Sequence, residues 1–252
     1  MTKVKQKNFL ITGATSALGL AISLKIAKQY GVDCKMIMVS RRHNDELEAL
    51  KSENIKYYSG IDLLDIKSND SLIQEIGSYF TGEIVLIHSA GDFWLHLPFL
   101  EFNTDQAKRM MDSHFGTLYN VLQNVLPIMI EKGGGKILTF SCNATNFHFP
   151  NMLPFTAAKA AVDATIKCIA HEYAKDNIVA NSIALSSLQT PHNKDSKPFG
   201  DYEHYLDLNE LSNTVLEIAE FSNNLANGNV INCYKYSDSY YNEGYFQRIK
   251  QK

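Results

Sequence analysis

Short, unbroken apolar runs alternate along the chain with longer stretches in which apolar positions recur every three or four residues. The runs fall at 8–12, 34–40, 56–58, 83–88, 136–141, 178–184 and 229–233. A strand wetted on one face alternates apolar and polar side chains. A continuous run marks a strand covered on both faces, as in a parallel sheet. The intervening periodicity predicts helices over 17–30, 44–52, 68–80, 104–131, 154–175 and 209–226. The fourth reads as one long helix with Leu118, Leu122 and Val125 along one face. Regular β-α-β alternation closes through right-handed crossovers. The expected fold is α/β: a Rossmann-like, doubly wound sheet of about seven parallel strands with helices on both faces.

No repeat or low-complexity linker interrupts this alternation, so residues 1–233 read as a single domain. Residues 186–205 look irregular and rich in proline and polar side chains. Such an excursion beyond the carboxyl ends of strands usually lies over the binding crevice. The tail, 234–252, holds Tyr234, Tyr236, Tyr240, Tyr241 and Tyr245. It reads either as a surface-packed tail or as a subunit contact, tyrosine being enriched in interfaces.

The 252 residues suffice for one sizeable core without covalent staples. Hydrophobic residues make up 45% and charged residues 20%, an ordinary globular balance. A net charge of −3 gives no electrostatic footprint for nucleic acid or an anionic membrane. No apolar run reaches the roughly 20 residues that span a bilayer. Cys34, Cys142, Cys168 and Cys233 are scattered, without metal-ligand spacing and too sparse for a disulfide framework. No metal site is expected. The first residues, running into an apolar strand, lack a signal-peptide layout. Together with free thiols, that makes the cytoplasm the expected compartment.

Directly after the first run comes Thr12-Gly13-Ala14-Thr15-Ser16-Ala17-Leu18-Gly19, opening a helix. Glycines in such a turn let backbone approach a pyrophosphate, and the helix end offers N–H groups and the positive end of its dipole. The segment resembles the turn of the short-chain dehydrogenase/reductase family, Thr-Gly-x-x-x-Gly-x-Gly. Alanine (Ala17) stands at the central glycine. Its methyl narrows the approach to the phosphate, yet it is small enough to leave binding intact. The resemblance spans residues 7–233. It places Thr12, Gly13, Ser16, Ala17 and Gly19 on the cofactor's phosphates. Arg41, with Arg42 as second choice, would clamp the 2′-phosphate of NADP(H), since guanidinium binds phosphate through two bonds. NAD(H) is the alternative cofactor. Asp62 falls at the adenine-contacting position and Thr190 at the nicotinamide amide. Ala90 and Gly91 match the family's Asn-Asn-Ala-Gly, but His88 and Ser89 replace the asparagines, which is expected to loosen this part of the site.

The same resemblance implies four reaction-centre positions. The segment Phe155-Thr156-Ala157-Ala158-Lys159 has the family's Tyr-x-x-x-Lys spacing with the tyrosine missing. Lys159 keeps the ribose-holding lysine. Thirteen residues before Phe155, Cys142 occupies the serine position. His114 stands for the asparagine of the long helix, and Leu185-Ser186 for a Pro-Gly pair. A tyrosine can give or take a proton and a phenylalanine cannot. The expectation is therefore an NADP(H)-binding family member whose standard carbonyl reductase activity is weak or absent, acting as a partner subunit or ligand-binding protein. The alternative is an active NADPH-dependent ketone or 3-oxoacyl reductase with a substituted proton donor among His88, His114 and His148. Phe93, Trp94, Phe147, His148, Phe149 and Tyr202 suggest a small apolar or acyl substrate. A homo-oligomer, or a hetero-oligomer with an active reductase, would form through helices 104–131 and 154–175.

Overall fold

The structure, a computed structural model, describes residues 6–68, 70–91, 95–196, 202, 205–221 and 226–235. Seven strands form one parallel sheet: β1 (Lys7–Thr12), β2 (Cys34–Val39), β3 (Ile55–Tyr58), β4 (Ile84–His88), β5 (Gly135–Cys142), β6 (Ile178–Leu185) and β7 (Val230–Cys233). Their order is β3-β2-β1-β4-β5-β6-β7. The winding reverses between β1 and β4. A crevice opens there beyond the strands' carboxyl ends, where open α/β sheets bind ligands. This is the doubly wound, Rossmann-like architecture expected from the apolar runs.

The helices are α1 (Ala17–Tyr30), α2 (Asp45–Ala49), α3 (Asp70–Tyr79), α4 (Thr104–Met111), α5 (Thr117–Glu131), α6 (Ala144–Phe147), α7 (Leu153–Glu172), α8 (Pro191–Ser196) and α9 (Leu208–Glu220). Period-2 alternation along β1 divides them between two cores. Phe9 and Ile11 pack with Ile22 and Ile26 of α1 and Val215 of α9. Leu10 points the other way, to Leu118 and Val125 of α5 and Ile166 of α7.

Three differences from the expected pattern bear on the site. The long helix 104–131 is not one α-helix: a π-turn, Asp112–Gly116, separates α4 from α5. The N–H of Thr117 donates to Asp112 O, one residue beyond the α-helical partner. Its hydroxyl donates to Ser113 O at 2.9 Å, competing for the carbonyls of that turn. Such bulges are frequent at functional sites. This one buries Ser113 and His114. Second, the described residues of the excursion 186–205 include α8, and Leu188 forms an isolated parallel bridge with Leu206. Third, β5 is followed by α6, which ends at His148 in the left-handed region, φ 53°. Of the tail's five tyrosines, only Tyr234 lies within the described residues, and it is exposed.

Candidate functional site

The cleft at the β1–β4 reversal encloses about 220 Å³. Its walls come from five segments of the chain. Gly13, Thr15 and Ser16 follow β1, Ser40, Arg41 and Arg42 follow β2, and Ile61 to Leu64 follow β3. Ser89, Ala90 and Gly91 follow β4, and Arg109, Asp112, Ser113 and Thr117 come from the α4–α5 helix.

The glycine turn is held by a compact set of bonds. Gly13 has φ 73°, and a Cβ there would lie 2.4 Å from the backbone nitrogen of Ala90. Only glycine lets β1 and β4 close this tightly. Ser16 caps α1, its Oγ accepting from Gly19 N at 3.0 Å. The first-turn N–H groups of α1 have no intrahelical acceptor and carry the positive dipole end. Ala17 is exposed and does not line the cleft, so its methyl takes no space there.

The replaced asparagines do not leave this region loose, contrary to expectation. Ser89 Oγ reaches Thr12 O at 3.0 Å and Gly13 O at 3.1 Å. His88 is buried between two threonines: Nδ1 lies 2.8 Å from Thr12 Oγ1 and Nε2 lies 3.4 Å from Thr117 Oγ1. Thr117 spends its proton on Ser113 O, so the network assigns the ring proton to Nε2 and makes Thr12 the donor to Nδ1. Burial, reinforced by the nearby Lys159 charge, lowers His88 to about 3. It is a neutral ring with both nitrogens engaged. Ser89 thus ties β4 to the phosphate turn, and His88 links Thr12 on to Thr117 of α5.

The second region lies along α7. Phe155, Lys159 and Asp163 recur every fourth residue and so share a helix face. Lys159 is buried, and Nζ donates to Phe140 O of β5 at 2.8 Å. Burial lowers its ammonium to about 8, against an opposing pull from Cys142 and Asp163. Nζ stands 5.7 Å from the centroid of the Phe155 ring. The His114 ring meets Phe155 edge-on, 5.2 Å between centroids. On its other side His114 packs against Gly91, where a Cβ would lie 2.3 Å from Nδ1. Burial raises the Cys142 thiol, outweighing the Ala144 N–H and Lys159, which pull it down.

The structure therefore divides the candidate residues. Gly13, Ser16, Arg41, Asp62, Ala90 and Gly91 line the cleft. Thr12 lies behind it on His88, and Gly19 caps onto Ser16. Phe155, Lys159 and His114 come together beside it. Cys142, at the end of β5, shares the Lys159 neighbourhood. Thr190 is buried at the start of α8, its Oγ1 accepting from Asn193 N at 3.1 Å, and does not line the cleft. Phe147 and Phe149 stack at 6.0 Å beyond β5, while Tyr202 packs edge-on to Tyr205 at 5.3 Å. Phe93 and Trp94 lie outside the described residues.

Sequence reasoning missed several participants. Arg109, Ser113 and Thr117 recur every fourth residue, the signal that could have exposed them. Asp163 lies one turn beyond Lys159 on α7, but its spacing alone does not mark it as buried. Its carboxylate accepts from Ser141 Oγ at 2.8 Å and Ser182 Oγ at 2.7 Å, pinning α7 to β5 and β6.

A glycine turn, a helix N-terminus and paired arginines around a crevice at the winding reversal define a nucleotide-binding α/β protein. The residues present fit a nicotinamide dinucleotide, because the turn exposes backbone N–H groups and keeps its cradle free of side chains. A model of the short chain dehydrogenase family matches residues 7–199, so the chain belongs to that family. It is 33% identical to a fatty acyl-CoA reductase of Acinetobacter baylyi over 75% of this chain and 64% of that protein, so it spans under two thirds of that relative's length. It is 26% identical to an uncharacterized oxidoreductase of Staphylococcus epidermidis over 76% of this chain and 82% of that one. Among solved structures, L-sorbose reductase of Gluconobacter frateurii with NADPH and L-sorbose shares the fold at TM-score 0.78 and 20% identity, covering 91% of this chain and 95% of that one. A tyrosine-to-phenylalanine variant of ElxO with NADPH bound superimposes at TM-score 0.79 and 24% identity, covering 90% and 96%. Among the described residues no helix is long and apolar enough to cross a membrane, and no group of metal-ligating side chains assembles.

Proposed function

We propose that this chain is an NADP(H)-binding short-chain dehydrogenase/reductase whose standard carbonyl reductase activity is weak or absent, and that it serves as a partner subunit or ligand-binding protein. The carrying observation is the phenyl ring of Phe155, set beside Lys159 and His114 where the family's motif has its proton-donating tyrosine. When bound, the nicotinamide supplies the hydride. The proton falls to this chain's own residues. Below pH about 8 Lys159 carries the charge that would acidify a phenol, but no hydroxyl stands there to feel it. Cys142 is a weak donor whose thiol burial keeps protonated. His88 is neutral, with both nitrogens engaged. Losing the acid costs roughly 10²–10⁴-fold in rate.

Arg41 and Arg42 in the cleft favour NADP(H) over NAD(H), for guanidinium recognises the extra phosphate through its planar fork. The NADPH in two structural neighbours supports the same reading. The acyl-CoA reductase relative and the stacked Phe147–Phe149 pair support a small apolar or acyl ligand. Ala157, Ala160 and Ala164 lie exposed along α7, a small-residue surface on which a second copy or an active reductase could pack. The cytoplasm remains the proposed compartment.

Fluorescence titration with NADPH, followed by turnover assays on ketones and 3-oxoacyl thioesters, tests this. Saturable binding with little or no turnover is the expected result. Vigorous turnover by the unmodified chain would refute it. One observation favours a second reading, an active reductase with a substituted donor: His114 touches both Phe155 and Gly91. On that reading a His114→Phe variant would lose the ketone reduction that the unmodified chain shows.

A further inference from the structure

The chain contains four arginines, Arg41, Arg42, Arg109 and Arg248, against 20 lysines. Arg248 lies outside the described residues. The other three all line the one cleft, and no described lysine does. The two side chains are not interchangeable. Lysine is a strongly hydrated point charge, whereas arginine presents a planar fork that matches phosphate oxygens in pairs. In a chain that otherwise uses lysine for positive charge, guanidinium is concentrated where fork geometry has a use.

The three arginines reach the cleft from different elements. Arg41 and Arg42 follow β2, and their backbone is fixed there: Arg42 O accepts from Ser40 Oγ at 2.6 Å and from Tyr57 OH at 2.9 Å. Arg109 sits in the last turn of α4 and is exposed, one turn ahead of Ser113 on the face that lines the cleft. Ile61, Leu63 and Leu64 add apolar surface to the lining. This lining offers apolar surface for an adenosine and guanidinium groups from two elements for its phosphates.

We infer that Arg109 is a specificity-determining residue of the nucleotide site. Its guanidinium engages a phosphate of the ligand from the helical wall while Arg41 and Arg42 engage it from the β2 side. The ligand class this selects is an adenosine nucleotide carrying a 2′-phosphate as well as its diphosphate. The inference rests on the NADP(H) reading above and adds a third recognition element to it.

The test is titration of wild type, R109Q, R109K and R41Q with NADPH, NADH and adenosine 2′,5′-bisphosphate, with thermal melts to show that each variant is folded. R109Q should weaken NADPH and the bisphosphate by about tenfold and NADH by no more than about twofold. R109K, which keeps charge but loses the fork, should fall between wild type and R109Q. If R109Q binds NADPH as wild type does while R41Q loses it, the inference fails and the cofactor reading stands. Arg109 would then serve the carboxylates of its own helix, such as Asp105 and Asp112. Equal losses for NADPH and NADH would overturn it as well, by showing a general effect on the cleft. If folded wild type binds neither dinucleotide, the cofactor reading fails and takes the inference with it.

Discussion

Two regions of the molecule meet at the crevice, and they have met substitution differently. Around the glycine turn, His88 and Ser89 stand where the family has asparagines, and their ring nitrogens and hydroxyl tie Thr12, Gly13 and Thr117 together. Around Lys159, a phenyl ring stands at the position where the family's motif has a phenol. The first region is built largely from backbone and tolerates any side chain that fills the same hydrogen bonds. The second depends on one titratable proton at one place, which no apolar ring can imitate. On the proposed reading, a binding function survives changes that a proton-transfer function does not.

The sharpest way to break this comparison is to give the second region its proton back. The double variant F155Y/C142S should raise ketone reduction by at least about 10²-fold over the unmodified chain, within the range general acid catalysis supplies. NADPH affinity should stay within about threefold, because Phe155 and Cys142 do not line the cleft. Steady-state NADPH oxidation and fluorescence titration measure both. An unchanged rate would mean that more than the proton donor is missing. High native activity would mean that the second region works after all, and the contrast with the first would dissolve.

The fold and the nucleotide half were the more legible parts of the sequence, and the reason is physical. Buried parallel strands write themselves as unbroken apolar runs such as 84–88, and a Gly13 at positive φ admits almost nothing but glycine. Local rules cover both. The reaction half is assembled from residues distant in sequence, and its supports depend on helix register. The π-turn was invisible because Asp112 to Gly116 contains no proline and, with Phe115 as its one apolar residue, carries too little periodicity to reveal a shift of register. Once Thr117 is turned inward by it, His88 gains a partner that spacing alone does not suggest. Asp163 hid for the opposite reason. A lone acid in a helix reads as a solvated face, and only β5 and β6 packed against it reveal Ser141 and Ser182 as its donors.

Asp163 is the place to ask whether the reaction half is still structurally maintained. Asp163→Ala leaves two buried hydroxyls without their acceptor and should cost about 2–4 kcal/mol of stability by urea denaturation. Asp163→Asn keeps the shape and one acceptor oxygen and should cost less, about 1–2 kcal/mol. The two variants also report on Lys159. Since the Asp163 carboxylate raises that ammonium against the effect of burial, its removal should move Lys159 below its value of about 8. A pH titration of Lys159 followed by side-chain NMR reads this directly. A cost under about 0.5 kcal/mol for the alanine variant would show that Asp163 does not pin α7 to the sheet.

The smallest effect belongs to the nucleotide half and depends on pH. His88 is held at about 3 in the fold, mainly by burial, against an ordinary value of 6.5. Its folded pKa is depressed, so between pH 3 and 6.5 the unfolded chain binds a proton that the folded chain refuses. The His88 contribution is fully present above pH 6.5 and is lost as pH falls toward 3, with a slope approaching about 1.4 kcal/mol per pH unit. Other groups titrate over the same range, so the informative quantity is the difference between wild type and His88→Asn. Asparagine can accept from Thr12 and donate toward Thr117 but cannot take up a proton. Urea denaturation from pH 4 to 7 should show the variant less stable near neutrality, its shorter side chain spanning the two threonines poorly. The gap should narrow, and then reverse, as acid is added. Parallel curves would mean that His88 is protonated without cost, that the ring is not locked between the threonines, and that the first region owes its order to Ser89 and the glycines alone.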